Sequence, residues 1–430
     1  MKRISVVTSG CKVNQYDTAA VLNSLPESKY EKVPFPGKAD IYLIDTCTVT
    51  HKADAEARHY INRAKRINPK GIVIVTGCYA QVSSDELREM AGVDYIVGNS
   101  DKFSSLFKII QGGEAQPEPS VFVSDLFKEK KRRFESPEIS HFPERTRAFL
   151  KVQDGCNYRC TFCIIPYARG RSRSLDVDEV LRRMDRLAGS GYKEVVLTGV
   201  HLASYGRDIG TNLLHLLMGV EKAKIMKRIR LSSLDPADTT DELIRFVAES
   251  ETVCPSFHIA LQSGDTNVLK RMRRRYKPEG FLHCTELIRE KIPDAAIGTD
   301  IMVGFPGETD EEFENTYNLA KVSALTYFHV FPYSKRKNTP AANMPNRLHP
   351  SVLKERSRLL RELGTKKKQE FYRSFIGRRF PVLIEKGAKG TTPNYISVHI
   401  TDGSFSIGDE VEVEIRDVKK EEVVGAPNPK

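Results

Sequence analysis

Three apolar, β-branched runs near the N-terminus each end on a cysteine: ISVVTSGC (4–11), ADIYLIDTC (39–47) and GIVIVTGC (71–78). Each is followed by a stretch with helical spacing, Asp17–Leu25, Asp54–Ile67 and Ser83–Met90. Short apolar runs bounded by turn residues are buried strands, and strands alternating with helices predict a parallel sheet. In such a sheet the C-terminal strand ends form one edge, where ligands bind. Cys11, Cys47 and Cys78 are therefore expected to converge. The alternative, three unrelated core cysteines, does not account for the same strand-end position occurring three times.

The pattern lapses from Gly112 to about Phe142, a linker expected to hold one short strand, VFVSDL (121–126). A longer series then begins. RAFLKVQDGC (147–156), YKEVVLTGVHL (192–202), RIRLSSLDP (228–236), SFHIALQSG (256–264), AIGTDIMVGFPG (296–307) and ALTYFHVFPYS (324–334) read as strands with helical patterns between them. One helix is LDVDEVLRRMDRLAGSG (175–191), with Asp176 placed to cap it. Such a series is too long for a small open sheet and too short for an eight-fold barrel, so a partial (β/α)6 barrel is expected. A long helix over 350–375 closes it. The remaining residues alternate in strand period and predict a small all-β barrel. The expected fold is α/β and multidomain: a parallel α/β domain over 1–115, a linker over 116–141, the partial barrel over 142–368 and the β-barrel over 369–430.

The chain has eight cysteines and no tryptophan. No apolar run approaches the roughly 18 residues of a membrane helix, and the N-terminal run is too short for a signal peptide. A cytoplasmic location with no membrane partner is expected. Disulfides are rare there, so the cysteines point to metal or redox chemistry. The densest group is DGCNYRCTFC (154–163), in which Cys156, Cys160 and Cys163 are spaced C-x3-C-x2-C. Structural zinc would call for a second ligand pair, and none lies nearby; Cys254 and Cys284 are isolated. A thioredoxin-like pair would not carry a third cysteine. A [4Fe–4S] cluster fits best, with three irons held by thiolates and the fourth left open for the amino and carboxylate groups of S-adenosylmethionine.

C-x3-C-x2-C after the first strand of a partial barrel resembles the radical S-adenosylmethionine enzymes. The likeness extends over nearly the whole chain to the methylthiotransferases. LQSGDTNVLKRMRRRY (261–276) and TDIMVGFPGETDEEFENT (299–316) are similar to their barrel motifs, and their terminal β-barrel is called TRAM. The resemblance implies two [4Fe–4S] clusters, one on Cys156, Cys160 and Cys163 and an auxiliary one on Cys11, Cys47 and Cys78. It implies that the first releases a 5′-deoxyadenosyl radical from S-adenosylmethionine. The auxiliary cluster holds a sulfur that a second S-adenosylmethionine methylates. Phe162 is expected near the adenine. Gly199, Ser232, Gln262 and Arg273, at or just beyond later strand ends, are candidate cofactor contacts. Gly199 stands in LTGVH, where many radical enzymes have Gly-Gly-Glu.

Members of the family act on adenosine 37 of tRNA, carrying a threonylcarbamoyl or an isopentenyl group, or on an aspartate of a ribosomal protein. GCKVNQYDT (10–18) and DTCTVTHKAD (45–54) resemble the threonylcarbamoyladenosine branch, with Lys12-Val13-Asn14 where the isopentenyl branch tends to have Gln-Met-Asn. Lys12 and Asn14 are candidates to face the modification. The rival readings are the isopentenyladenosine enzyme and an iron–sulfur RNA-binding protein without turnover. The net charge is +11, concentrated in KRMRRRYK (270–277), KEKKRR (128–133), RGRSR (169–173) and KAKIMKRIR (222–230). Such clusters suit a polyanion. The expected partners are the anticodon loop of tRNA and an electron-donor protein.

Overall fold

The computed structural model describes residues 1–128, 134–142 and 145–427. The chain divides into two compact units. One comprises Met1–Pro143, Lys151–Leu175 and Ser334–Ala342, the other Glu144–Leu150, Asp176–Tyr333 and Asn343–Lys430.

The first unit is built on a six-stranded parallel sheet. In chain order its elements are β1 (Lys2–Thr8), α1 (Lys12–Asn23), β2 (Tyr30–Val33), β3 (Ile41–Thr46), α2 (His51–Ile67), β4 (Ile72–Gly77), α3 (Cys78–Val82), α4 (Ser84–Arg88), β5 (Tyr95–Val97), α5 (Lys102–Gly112) and β6 (Ser120–Phe122). The strand order is β2-β1-β3-β4-β5-β6. β6 comes from the expected linker and pairs in parallel with β5. Both faces are covered, because strand residues alternate between them. Tyr42 and Ile44 pack with Ala57 and Ile61 of α2, whereas Ile41 and Leu43 pack with Val21 of α1 and Leu106 of α5. Each such fully buried side chain contributes about 1.5–3 kcal/mol relative to exposure. The register Thr8↔Asp45 and Thr46↔Gly77 brings β1, β3 and β4 level at their C-terminal ends. β7 (Arg147–Lys151) leads into β8 (Gln153–Asp154), α6 (Ile165–Arg169) and β9 (Arg173–Ser174), and β8 and β9 form a short antiparallel pair.

The second unit continues with α7 (Val177–Gly189), β10 (Glu194–Thr198), α8 (Leu213–Ala223), β11 (Arg228–Leu231), α9 (Asp241–Glu249), β12 (Ser256–His258), α10 (Thr266–Arg271), α11 (Pro278–Lys291), β13 (Ala296–Val303), α12 (Asp310–Val322), β14 (Tyr327–Pro332) and α13 (Pro350–Arg373). The six expected barrel strands are present. They form two three-stranded sheets, β11-β10-β7 and β12-β13-β14. A bridge between Leu234 and Ile259 joins the segments that follow β11 and β12. Helix ends follow local chemistry: Thr309 and Glu312 form a reciprocal capping box at α12. Asp176 occupies the N-cap position of α7, but its side chain makes no capping hydrogen bond, contrary to expectation.

The C-terminal strands β15 (Arg379–Lys386), β16 (Lys389–Thr391), β17 (Ser397–Ile400), β18 (Glu410–Lys419) and β19 (Glu422–Pro427) close into a barrel in the order β15-β16-β17-β19-β18. Val382, Ile384, Val398, Val413 and Ile415 fill it, and Tyr372 and Phe375 at the end of α13 join the same core. Among the described residues no helix is long and apolar enough to cross a membrane.

Candidate active site

Cys11 is the N-cap residue of α1, Cys47 follows β3 and Cys78 opens α3. The three therefore sit at the ends of neighbouring strands. Glycine makes the approach possible. Gly10 has φ +96°, and a Cβ there would lie 2.6 Å from the Cβ of Cys47. Gly77 has φ +97°, and a Cβ there would meet the Asp45 carboxylate and the Thr46 carbonyl, both at 2.4 Å. Only a residue without a side chain satisfies both conditions. Cys11 is exposed, Cys47 half-buried and Cys78 buried. Burial, then the neighbouring Cys78, push the Cys47 thiol up to about 12. Burial pushes the Cys78 thiol up as well, so holding Cys47 and Cys78 as thiolates calls for a cation beside them, which an iron–sulfur cluster provides.

Cys156, Cys160 and Cys163 lie in the same unit, in the loop between β8 and α6. The loop is braced by its backbone: Cys156 N donates to Gly170 O at 3.0 Å and Cys163 N to Cys160 O at 3.1 Å. The buried Gln153 amide donates to the carbonyls of Asp154 and Gly155 and to Ser172 Oγ. From the segment 334–342, Ala341 N donates to Thr161 O at 2.9 Å. Phe162 is half-buried within this loop. No disulfide joins any of the eight cysteines. Among the described residues no three His, Cys, Asp or Glu side chains are gathered closely enough to share one metal ion.

A buried charge network adjoins both cysteine groups. Asp17 of α1 receives Lys151 and lies 3.5 Å from Lys102 Nζ and 3.3 Å from Arg169 Nη2. Lys102 also pairs with Asp45 at 3.0 Å, and Arg169 with Asp154 at 3.0 Å. Arg169 Nη2 donates to the Asn14 amide oxygen at 2.5 Å. Burial opposes the charge on Arg169, but Asp154, Cys78 and Asp17 outweigh it and hold the guanidinium protonated. The Cys47 turn has its own brace. Arg336 donates to Thr48 O at 2.9 Å and to Asp54 at 2.6 Å, and its Nη2 meets His51 Nδ1 at 2.7 Å.

Sequence reasoning missed this network. The available signals were charges inside apolar strands: Asp45 in IYLIDT and Lys151 in RAFLK. It also misjudged Asn14. The side chain is buried and donates to Ser9 O and Thr46 O while accepting from Arg169, so it is committed to holding strand ends and does not face a substrate. Lys12 is half-buried.

The candidate S-adenosylmethionine contacts apart from Phe162 lie in the second unit. Gly199 follows β10 and is half-buried. Ser232 follows the adjacent β11, its N donating to Leu197 O at 3.1 Å. Gln262 takes φ +64° and pairs with β13 through Asp300 and Met302. Ser232 Oγ and Gln262 Oε1 are buried with no hydrogen-bond partner among the described residues. Unpartnered buried polar atoms are costly, and a polar ligand would satisfy them. Arg273 is exposed at φ +56°, beyond the end of α10. Cys254 and Cys284 are buried, and burial raises their thiols to about 11 and about 12, as suits structural cysteines.

The basic clusters are corrected in part. Arg271 makes a bidentate pair with Glu312, and Arg274 is bonded to Asp235. Arg228 and Arg230 are buried beside Glu410 and Glu194. Arg169 is buried as described. These arginines neutralise internal carboxylates and are not available to a polyanion. KEKKRR lies, apart from Lys128, outside the described residues.

Comparison with known proteins agrees with this geometry. The model described as "Radical SAM superfamily" matches residues 150–320, and that described as "Uncharacterized protein family UPF0004" matches residues 3–98. A solved radical S-adenosylmethionine methyltransferase, TsrM from Kitasatospora setae, shares the fold at TM-score 0.57 and 15% identity, over 79% of this chain and 77% of that one. Fold and cysteine loop thus define a radical S-adenosylmethionine enzyme. The threonylcarbamoyladenosine tRNA methylthiotransferase MtaB of Aquifex aeolicus (strain VF5) is 42% identical over 96% of this chain and 99% of its own. The protein of the same name from Bacillus subtilis (strain 168) is 41% identical over 96% and 94%. The chain belongs to this family of tRNA methylthiotransferases, and iron–sulfur and S-adenosylmethionine chemistry comes with it.

Proposed function

We propose that the protein methylthiolates C2 of N6-threonylcarbamoyladenosine at position 37 of tRNA. It does so with two [4Fe–4S] clusters and two molecules of S-adenosylmethionine. The near-full-length likeness to the Aquifex enzyme carries the substrate assignment. Cys156, Cys160 and Cys163 would hold the radical cluster, and Cys11, Cys47 and Cys78 the auxiliary one. The bound groups supply a radical able to attack an unactivated aromatic C–H bond, together with the sulfur and methyl to be transferred. The chain's own contribution is placement. Gly10 and Gly77 let the three strand-end cysteines approach one another. Arg336 fixes the turn after Cys47 through Thr48 and Asp54. Phe162, Gly199, Ser232, Gln262 and Arg273 are the candidate cofactor contacts, Ser232 and Gln262 through buried polar atoms and Arg273 for the carboxylate. The anticodon loop is the docking partner, an electron-donor protein supplies the electron, and the location is cytoplasmic.

The test presents purified, anaerobically reconstituted enzyme with anticodon stem-loops bearing threonylcarbamoyl or isopentenyl adenosine and scores methylthiolation by mass spectrometry. A pocket for the first group must offer donors or positive charge, which the hydrocarbon of the second leaves unpaired. Discrimination on the order of 10⁴-fold follows. Efficient turnover of the isopentenyl substrate would overturn the assignment.

A further inference from the structure

We propose that Arg169 is a positioning residue of the auxiliary site: it anchors the radical-cluster loop to the cysteine-bearing edge of the first unit's sheet and sets a fixed positive charge beside Cys78. This deepens the two-cluster reading and rests on it.

The observations are independent of any cofactor. Arg169 stands six residues after Cys163, at the C-terminal end of α6, and its side chain is 1% exposed. One side of the guanidinium grips Asp154, two residues before Cys156, at 3.0 and 3.2 Å. The other reaches Asn14 at 2.5 Å and Asp17 at 3.3 Å, both on the helix that Cys11 opens. A single side chain thus ties the base of one cysteine loop to the base of the other. Its Nε is buried and has no partner among the described residues. A buried N–H without an acceptor is costly, and a sulfur atom on the cysteine side would supply one. Asn99 borders the same sulfur: its Nδ2 lies 3.6 Å from Cys78 Sγ and donates to Ala168 O at 2.8 Å, next to Arg169 in sequence.

The charge balance points the same way. Lys102, Lys151, Arg169 and Arg173 face Asp17, Asp45 and Asp154. Four cations thus meet three carboxylates. The network therefore presents excess positive charge to three sulfur ligands. Hydrogen bonds and charge near such ligands set how easily a cluster accepts an electron, because the reduced form is the more negative.

The experiment uses full-length protein carrying Cys156→Ala, Cys160→Ala and Cys163→Ala, so that only the auxiliary site takes iron. A mediator titration followed by electron paramagnetic resonance reads its potential. Arg169→Gln keeps hydrogen bonding to Asp154 but removes the charge. It is expected to lower the reduced-to-oxidised ratio at fixed potential about tenfold, which is 59 mV for a one-electron couple. Arg169→Lys keeps the charge and is expected to stay within about threefold of the parent by the same relation. Full iron content with an unmoved potential in Arg169→Gln would overturn the proposal, as would an equal shift in Arg169→Lys. If Arg169→Gln fails to fold, Asn99→Leu, which removes a second group beside Cys78 and leaves the charge, is expected to leave the potential within threefold; a tenfold shift there would place the control elsewhere. Adding Cys11→Ala, Cys47→Ala and Cys78→Ala separates the two readings. Iron that survives in that protein sinks the auxiliary-cluster assignment itself. Iron lost there, with Arg169→Gln inert, sinks the role of Arg169 alone.

Discussion

Replacing Asp17 by asparagine tests whether the buried network holds the first unit together. Asp17 is 3% exposed on its side chain and meets Lys151, Lys102 at 3.5 Å and Arg169 at 3.3 Å. One such pair at 3.5 Å is worth about 5 kcal/mol of Coulomb energy at an effective dielectric of 20. Desolvation and repulsion from Asp154 offset much of that sum. Breaking a buried pair by removing one partner nevertheless costs about 3–5 kcal/mol, because the cations stay behind unneutralised. In a unit of roughly 150–250 residues this lowers the unfolding midpoint by about 10 °C or somewhat more. Differential scanning calorimetry of the iron-free protein reads it directly. The pH dependence gives a second readout. Burial pushes the Asp17 carboxyl up, but Lys151, Lys102 and Arg169 together hold it below the usual carboxylate value. A depressed carboxyl contributes stability above its unfolded pKa, about 3.9, and loses it as pH falls through the folded value. Asp17→Asn should therefore flatten the acid limb of the stability curve below about pH 4. A midpoint change under about 1 kcal/mol equivalent, with the acid limb intact, would refute the reasoning.

Reconstituted protein should carry about eight irons, four per cluster; Cys156→Ala with Cys160→Ala and Cys163→Ala should halve that and abolish cleavage of S-adenosylmethionine. Cys11→Ala with Cys47→Ala and Cys78→Ala should leave cleavage to 5′-deoxyadenosine in place while methylthiolation stops, as chromatography of both products will show. Ser232→Ala and Gln262→Leu should weaken S-adenosylmethionine binding severalfold in calorimetry without lowering the melting temperature, since each removes a buried atom that the protein leaves unpaired. Neutralising the exposed Lys270, Arg273 and Lys277 should flatten the salt dependence of tRNA binding by about one unit of slope per contact, whereas Arg271→Gln should chiefly cost stability through Glu312.

The cysteine-ended and barrel strands were legible because each is an apolar run, as buried parallel strands have to be, whereas the short β2 (YEKV) and β5 (YIV) were not expected. The meeting of Cys11, Cys47 and Cys78 followed from a topological rule about strand ends and needed no side-chain detail. Glycine supplied a further local signal: SGC and TGC place a residue without a Cβ immediately before two of the three. The charge network was not legible for a physical reason. Lys102, Arg169 and Asp154 are far apart in sequence, and each looks like an ordinary surface charge until its partners are known. Composition misled in the same way at 169–173, 222–230 and 270–277. There a run of cations was read as a surface for polyanions, yet several of its arginines are neutralised by Asp154, Glu194, Glu410, Asp235 and Glu312. A charge count cannot tell a phosphate-binding arginine from one that neutralises a buried carboxylate.

The placement of residues 151–175 explains why the network is buried at all. This segment follows the first barrel strand in sequence, yet it packs in the unit that carries the N-terminal cysteines. On the proposed two-cluster reading, a radical source and a sulfur source call for the two cysteine loops to hold a fixed relation. Apolar packing alone would fix it loosely, since well-packed surfaces tolerate volume-conserving repacking. Buried ion pairs are less forgiving: a shift that separates Arg169 from Asp154, or Lys151 from Asp17, leaves a charge in a low dielectric at a cost of several kcal/mol. The same pairs therefore add little net stability but penalise every other arrangement. Arg336, which reaches from segment 334–342 to Thr48, Asp54 and His51, applies this restraint to the turn after Cys47. In a double-mutant cycle, Asp154→Asn and Arg169→Gln should couple by about 1–3 kcal/mol, as contacting members of one network do. Additive losses would mean that the loop is held by packing and that the charges are bystanders.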